Sequence, residues 1–300
     1  MKIAEKCKVF VAGALVAALA AGMSMPALAA TVTGYPSIAA VEQQNDAITP
    51  EQVEDMIRQI APVTLESETA ILNAQAAYDS MPAEWQAMVS NYEALEIDKQ
   101  ALEDLQVDAL AEKLNNTVYR EHDDVENADF FFWKDYPKTN QSIFALPYFC
   151  MSDNEVQPLR MMYTYYGKHW IFWNQIVYSV DGEVYKKDVD RSLKSEKVVR
   201  VIFSNDVDVW ELGDDVADPQ EIDMLKKSVT GQKVVFRFKG DSTKYDLNMS
   251  ASAYKNFKTA ISNVLDAYES LKSASPSVRA RALEKVEAHK QNSKFINLAY

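Results

Sequence analysis

Alternation of hydrophobic and polar positions predicts β-structure over the last two hundred residues. The pattern is densest at 158–187, PLRMMYTYYGKHWIFWNQIVYSVDGEVYKK. Turn signals at Tyr166-Gly167-Lys168 and Asp181-Gly182 divide this stretch into three runs rich in β-branched and aromatic residues, as in two consecutive hairpins. The middle run, 170–180, is apolar on both alternating faces. It therefore predicts a strand at the centre of a sheet that is covered on both sides.

Further patterns extend this stretch into an α+β domain over 129–273. Additional strands are predicted at 130–133, 142–151, 198–203, 207–212, 233–238 and 244–249. Asp218 caps a helix that Gly231 closes, and Ser250 caps a longer helix, 253–273, whose apolar stripe should pack across the sheet. The prediction is a mostly antiparallel β-sheet packed against a long C-terminal helix. A helical tail, 274–300, follows, with a helix from about 278 to 291.

An N-terminal antiparallel helical module is predicted ahead of the sheet domain, over 49–118. Thr49-Pro50-Glu51-Gln52 combines a cap residue, a proline at the first helical position and a Gln three residues on, which is a capping box. Apolar positions at helical spacing predict helices at about 49–60, 66–81, 83–89 and 91–114. The acidic segment EHDDVEN, 121–127, is predicted to join the two domains.

The first 29 residues have the layout of a secretory signal peptide. A basic head is followed by the apolar run VFVAGALVAALAAGM and by the small residues Ala27-Leu28-Ala29. We expect cleavage near Ala29-Ala30, a flexible leader over 30–48, and no stable membrane insertion afterwards. The predicted location is secreted, extracellular or in the cell envelope.

The net charge of the chain limits the classes of molecule that it could bind. The whole chain has a net charge of −13, and removal of the signal peptide, which carries +2, would make it −15. That balance argues against nucleic acid and anionic membranes as partners. Only Cys150 would remain after cleavage, so the exported protein is expected to rely on its core rather than on an internal disulfide.

The segment 70–102, AILNAQAAYDSMPAEWQAMVSNYEALEIDKQAL, contains Val89-Ser90-Asn91-Tyr92-Glu93-Ala94-Leu95. With its preceding Tyr and small helix-ending turn, it resembles the helical hairpin unit, Val-x-Asn-Tyr-x-x-Leu, repeated in secreted and surface proteins of Gram-positive bacteria. The resemblance implies a spacer or interaction module, and it brings no catalytic residues. This chain has one copy rather than an array.

The sheet half carries a second resemblance. Its motifs are Leu146-Pro147-Tyr148, Trp170-Ile171-Phe172, Asp181-Gly182 with Tyr185, Trp210-Glu211, Phe236-Arg237-Phe238-Lys239-Gly240-Asp241 and Leu265-Asp266-Ala267-Tyr268. In this order they resemble a β-rich module found in exported bacterial proteins and lipoproteins of unknown function. The resemblance implies an extracellular binding module with no established activity.

Some residues have the chemistry of a hydrolase, but each has a simpler structural interpretation. Cys150 and His169 would suit a cysteine hydrolase, but Cys150 lies in an apolar run without the helix-start setting that lowers a thiol pKa. Asp206 and Asp208, with Glu211 nearby, would suit a glycosidase. Surface charge is the simpler interpretation of these acids in an acidic protein. No catalytic residue and no cofactor are predicted.

Two acidic segments contain residue types that bind metal ions. Asp181-Gly182-Glu183 with Asp188 and Asp190 has the charge but not the spacing of a calcium loop, and a hairpin with solvated flanks is preferred. His122, Asp123 and Asp124 are more simply a solvated join, and three His residues make a zinc site improbable. No metal site is predicted.

Dense aromatic residues are the feature that favours binding. The rings between 163 and 178 are Tyr163, Tyr165, Tyr166, Trp170, Phe172, Trp173 and Tyr178. Such rings anchor sugars or peptides when they face water, whereas a sheet covered by helices would bury them. The candidate binding surface is Tyr163, Tyr165, Trp170 and Trp173.

The sequence therefore predicts an exported, non-catalytic bacterial protein that binds another protein or a cell-surface glycan. The alternative is a secreted hydrolase acting on cell-wall or host polymers. A purely structural spacer is a third possibility. The sequence does not specify an oligomeric state.

Overall fold

The computed structural model describes residues 48–135, 143–188, 198–202 and 208–290. The chain divides into two compact units, of which the first ends at Leu102 and the second continues from Glu103. The predicted signal peptide, 1–29, and nearly all of the leader lie outside the described residues.

The first unit is helical, as predicted. Its elements are α1 (Pro50–Arg58), a 3₁₀ turn (Leu65–Ser67), α2 (Glu68–Asp79), α3 (Ala83–Gln86) and the beginning of α4 (Tyr92–Thr117). The capping box at the start of α1 is confirmed: Thr49 N donates to Gln52 Oε1 at 2.9 Å, and Gln52 N donates to Thr49 Oγ1 at 3.4 Å. Its buried apolar residues are Val53, Ile57, Ile60, Ile71, Ala74, Ala77, Met81, Val89, Leu95 and Leu102.

The Val-x-Asn-Tyr-x-x-Leu segment holds this unit together. Val89 and Leu95 are buried, and the rings of Tyr78 and Tyr92 stack with their centroids 4.0 Å apart. Asn91 Nδ2 donates to the backbone oxygen of Glu54 at 3.0 Å. The segment is therefore a packing and hydrogen-bonding element that joins the start of α4 to α1 and α2.

The second unit contains two β-sheets. Its strands are β1 (Val118–Asp123), β2 (Ala128–Trp133), β3 (Phe144–Ser152), β4 (Glu155–Val156), β5 (Arg160–Gly167), β6 (Gln175–Val180), β7 (Glu183–Asp188), β8 (Val198–Ile202), β9 (Val209–Val216), β10 (Val234–Lys239), β11 (Lys244–Asn248) and β12 (Ala288–Lys290). Sheet 1 has the order β12-β1-β2-β3-β5-β9-β8, with β4 paired to β3, and sheet 2 has the order β11-β10-β6-β7. Every pairing is antiparallel except that of β1 with β12.

Three helices complete the second unit: α5 (Pro219–Thr230), α6 (Ala251–Ser273) and α7 (Pro276–Glu284). As predicted, the long helix α6 packs on the sheet: it contacts β1, β2 and β3 of sheet 1, and the Tyr268 ring meets the edge of Phe149 at 5.4 Å. Sheet 2 packs on the β5 region of the same sheet, where Phe236 lies against Tyr163 and also against Phe257 of α6. The α+β prediction is thus confirmed.

The predicted central strand, 170–180, is wrong in its first half. Residues 168–174 form a loop, and only Gln175–Val180 is a strand. The hairpin expected at Gly167 does not form, because β5 pairs with β3 and β9 in sheet 1 while β6 belongs to sheet 2. The second hairpin, β6–β7, is confirmed: Asp181 and Gly182 have φ of 51° and 94°, the left-handed pair that a two-residue turn needs.

Two other segments differ from the prediction. The acidic segment 121–127 is not an interdomain join but the end of β1 and the turn into β2, in which the Asp123 carboxylate accepts the N–H groups of Val125 and Glu126. In the predicted helical tail, α7 ends at Glu284 and β12 then extends sheet 1 beside β1. Among the described helices none is both long and apolar enough to cross a membrane.

Candidate binding site

The candidate site is the loop 168–174, here called the aromatic loop, which carries the chain from sheet 1 to sheet 2. Three successive backbone N–H groups of the loop converge on the carboxylate of Glu211. Ile171 N and Phe172 N donate to Glu211 Oε1 at 2.7 and 3.0 Å, and Trp173 N donates to Oε2 at 3.3 Å. Glu211 is fully buried on β9, so the loop provides the hydrogen bonds that compensate this carboxylate for its lost hydration.

The opposite edge of the aromatic loop is held by the β10–β11 turn. Thr243 Oγ1 donates to Ile171 O at 3.0 Å, and Asn174 N donates to Lys239 O at 2.9 Å. A Cβ on Gly240 would overlap the carbonyl oxygen of Ile171. Glycine at 240 is therefore what permits the turn to approach the loop this closely.

This framework holds Phe172 in an unusual conformation. Its φ is 50°, the left-handed region, which costs a residue with a bulky side chain about 1–2 kcal/mol. The Phe172 side chain is 57% exposed, and its ring stacks on Trp170 with centroids 5.3 Å apart and planes 20° from parallel. The left-handed backbone at Phe172 therefore turns a large apolar ring towards solvent rather than into the core.

The candidate surface from sequence is not an exposed patch. Tyr163, Tyr165 and Trp173 are 2%, 7% and 1% exposed, because sheet 2 packs on the side of β5 from which both tyrosines project. Trp173 lies over Gly213, where any Cβ would overlap its ring, and it meets Tyr163 edge-on. Of the four predicted residues, Trp170 alone is partly exposed.

The other ring of the exposed pair, Phe172, is not one of the four residues that the sequence predicts for the binding surface. In a strand, alternation would place Trp170 and Phe172 on one face. Their appearance on one exposed patch depends instead on the left-handed turn at Phe172. Phenylalanine gives no sequence signal for that conformation.

The described residues that would suit a hydrolase either are buried or make structural contacts. Cys150 lies in β3 with no exposed surface, and His169 occupies the aromatic loop, where its backbone oxygen accepts the Tyr165 hydroxyl at 3.1 Å. Asp208 accepts the Tyr166 hydroxyl at 2.7 Å and pairs with Lys168 at 2.5 Å. Asp206 lies outside the described residues.

The acids considered as metal ligands also have structural contacts. The Asp181 carboxylate accepts the N–H groups of Gln232 and Lys233, which fixes the β6–β7 turn against the start of β10. His122 Nδ1 lies 3.0 Å from Asp129 Oδ1, beside the Arg120–Asp129 pair. Within the described ranges, no three His, Cys, Asp or Glu side chains form a group that could hold a metal ion.

Comparisons of the chain with protein-family models, with curated proteins and with solved structures found no match. The two resemblances drawn from sequence motifs therefore stay predictions.

Proposed function

We propose that this chain is an exported, non-catalytic bacterial envelope or extracellular protein that binds another protein or a cell-surface glycan through the aromatic loop. The observation that carries the proposal is the outward-turned Phe172 stacked on Trp170. Exposed aromatic rings bury large areas on binding at little cost in side-chain entropy. The three hydrogen bonds to Glu211 fix the loop before any ligand arrives, which lowers the cost of binding further.

Export is supported by the signal-peptide layout of the first 29 residues. The test is expression of the full coding sequence in a Gram-positive host, with mass spectrometry of intact protein from the medium and the envelope. We expect a mature chain beginning near Ala30. Uncleaved protein confined to the cytoplasm would refute export.

Binding is tested with the exported protein and isolated cell envelopes. We expect Phe172→Ala and Trp170→Ala each to weaken binding about tenfold, the range of an aromatic anchor. Leu72→Ala is the matched control, because Leu72 is 60% exposed but belongs to the helical unit. Protease treatment of the envelopes distinguishes a protein partner, and periodate oxidation distinguishes a glycan. Equal binding by all three variants and wild type would refute the role of the loop.

The non-catalytic part of the proposal is supported by the burial of Cys150 and by the structural use of Glu211. It is tested by incubating the exported protein with cell-wall polymers and measuring new reducing ends and free amines. Release above the level of heat-inactivated protein would favour the hydrolase alternative.

A further inference from the structure

The outer face of sheet 2 is formed by the outward side chains of its four strands, of which β6 directly follows the aromatic loop. Along each strand, alternate side chains such as Ile176, Tyr178, Phe236 and Phe238 are buried, so the residues between them face away from the core. The outward positions are Gln175, Val177 and Ser179 on β6, Val184, Lys186 and Asp188 on β7, Val235, Arg237 and Lys239 on β10, and Lys244, Asp246 and Asn248 on β11. All twelve are exposed or partly exposed.

This outer face has a charge opposite to that of the whole protein. It carries four basic and two acidic side chains, in a chain whose net charge is −13. Arg237 is neutralised by Asp246, to which it donates two hydrogen bonds of 2.5 and 2.8 Å. Besides Arg237, Lys244 also acts on Asp246 and helps to lower the pKa of that carboxyl group, but in the part of the chain that the structure describes no ion pair within 4.0 Å is formed by Lys186, Lys239 or Lys244.

One row of outward residues runs across the ends of the four strands, and it includes the residue that follows the aromatic loop. Lys244, Lys239, Gln175 and Asp188 stand side by side in register across the four strands. Lys239 Nζ donates to Gln175 Oε1 at 3.3 Å, and Gln175 Nε2 donates to Asp188 Oδ1 at 2.6 Å. Gln175 directly follows the loop, whose last residue, Asn174, donates to the backbone of Lys239.

We infer that the aromatic loop and this row form one site for an anionic polysaccharide. The inference rests on the proposed function and specifies its ligand. Trp170 and Phe172 offer stacked aromatic faces to the apolar faces of sugar rings. Lys239 and Lys244 pair with the carboxylates or phosphates of the polymer, while Gln175 and Asp188 hydrogen-bond its hydroxyl groups.

The composition of the row favours a sugar polymer over a protein partner. Lysine is depleted in the cores of protein–protein interfaces, and charged side chains are generally sparse there. Here two lysines, an amide and a carboxylate form the row that follows the aromatic loop in the chain and is tied to it at Asn174. A polysaccharide suits both parts, because its repeating units present apolar ring faces, hydroxyl rims and anionic groups together.

The experiment compares matched anionic and neutral ligands. The exported protein is titrated with polygalacturonate and hyaluronan. It is titrated in parallel with the methyl esters of the two uronic acid polymers, which keep the sugar backbone and remove the charge. We expect the acids to bind about tenfold more tightly than their esters at low salt, and high salt to remove most of that difference.

The variant Lys239→Gln/Lys244→Gln should lose the preference for the acid form, weakening binding about tenfold. Lys255→Gln/Lys272→Gln, which removes the same charge from exposed positions on α6, should leave it unchanged. Phe172→Ala should weaken acid and ester alike.

Three results would overturn the inference. Equal affinity for acid and ester, with both lost in Phe172→Ala, would leave the proposed function standing without an anionic ligand. Polyglutamate binding as tightly as polygalacturonate would indicate an acidic protein instead. Failure of every polysaccharide to bind, while Phe172→Ala still reduces envelope binding, would indicate a protein partner and a different surface.

Discussion

Lys187 Nζ lies 2.7 Å from Glu221 Oε2 in the interior of the second unit, where β7 meets the start of α5. The Tyr163 hydroxyl of sheet 1 donates to the other Glu221 oxygen, and Lys187 also donates to Val216 O at 2.7 Å. Asp215 lies 3.7 Å from the same ammonium group. Sheet 2, sheet 1 and α5 thus share one buried polar cluster.

Burial raises the pKa of Glu221 to about 8, although the Lys187 ammonium group 2.7 Å away opposes this shift by favouring the ionised carboxylate. The folded protein therefore retains this proton at pH values where the unfolded chain, with a carboxyl pKa of about 4.3, has lost it. The contribution to stability is fully present below about pH 4 and is lost as the pH rises through 8. We expect the free energy of unfolding to fall by about 1.4 kcal/mol per pH unit between about pH 5 and 8.

The matched variant for this prediction is Glu221→Gln, which keeps the shape of the side chain and cannot titrate. Urea unfolding of wild type and variant across this pH range isolates the contribution of Glu221, since every other group is common to both. Parallel stability curves for the two proteins would show that Glu221 does not hold its proton.

Glu211→Gln tests what fixes the aromatic loop. An amide keeps one acceptor oxygen, but its NH₂ group would face an N–H donor of the loop, so at least one buried N–H group loses its partner. We expect a loss of about 2 kcal/mol in the free energy of unfolding. The amide protons of residues 171–173 should also exchange at least tenfold faster, as measured by hydrogen exchange.

Glu183→Gln is the control for this variant, because its carboxylate is exposed and pairs only with surface Lys227 among the described residues. Unchanged exchange at residues 171–173 in Glu211→Gln would mean that the β10–β11 turn alone holds the loop.

Sequence patterning predicted most elements but not the division into two sheets. Alternation reports which residues are apolar, not which partner buries them. The run 170–180 was therefore assigned to one central strand, although Trp173 is buried against Gly213 of sheet 1 and Ile176 faces inward from sheet 2. The turn that separates them depends on Glu211, forty positions from Ile171, and such distant hydrogen bonds leave no local pattern.

The sequence also does not indicate which charged side chains are buried. Arg160 would be expected at the surface, yet it is 5% exposed because the Tyr148 hydroxyl and the Asp214 carboxylate lie 2.9 and 3.1 Å from its Nε. Helix caps, in contrast, can be predicted from sequence. Those at Thr49, Asp218 and Ser250 are all confirmed, because each cap side chain accepts a hydrogen bond from the N–H group only three residues further on.

The left-handed backbone at Phe172 should lower the stability of any variant other than glycine at this position. Phe172→Gly and Phe172→Ala both remove the ring, but only glycine adopts a φ of 50° without cost. We expect the glycine variant to be more stable than the alanine variant by about 1 kcal/mol in thermal or urea unfolding. Both variants should lose envelope binding equally. An alanine variant as stable as the glycine variant would show that the loop relaxes and stores no strain.

Asn91 gives a prediction for the helical unit. Its side chain donates to the backbone oxygen of Glu54 and so ties the start of α4 to α1. Asn91→Ala removes that hydrogen bond, and we expect local stability to fall by about 1 kcal/mol. Hydrogen exchange of peptides from residues 48–102 measures this unit separately from the sheets.

Asn73→Ala is the control, because Asn73 is exposed on α2 and alanine favours helix there. If both variants exchange like wild type, the Val-x-Asn-Tyr-x-x-Leu segment is held by Val89, Tyr92 and Leu95 without the asparagine. If only Asn91→Ala exchanges faster, the asparagine of this motif is a structural tie between helices, and a search for partners of the helical unit belongs on its exposed residues instead.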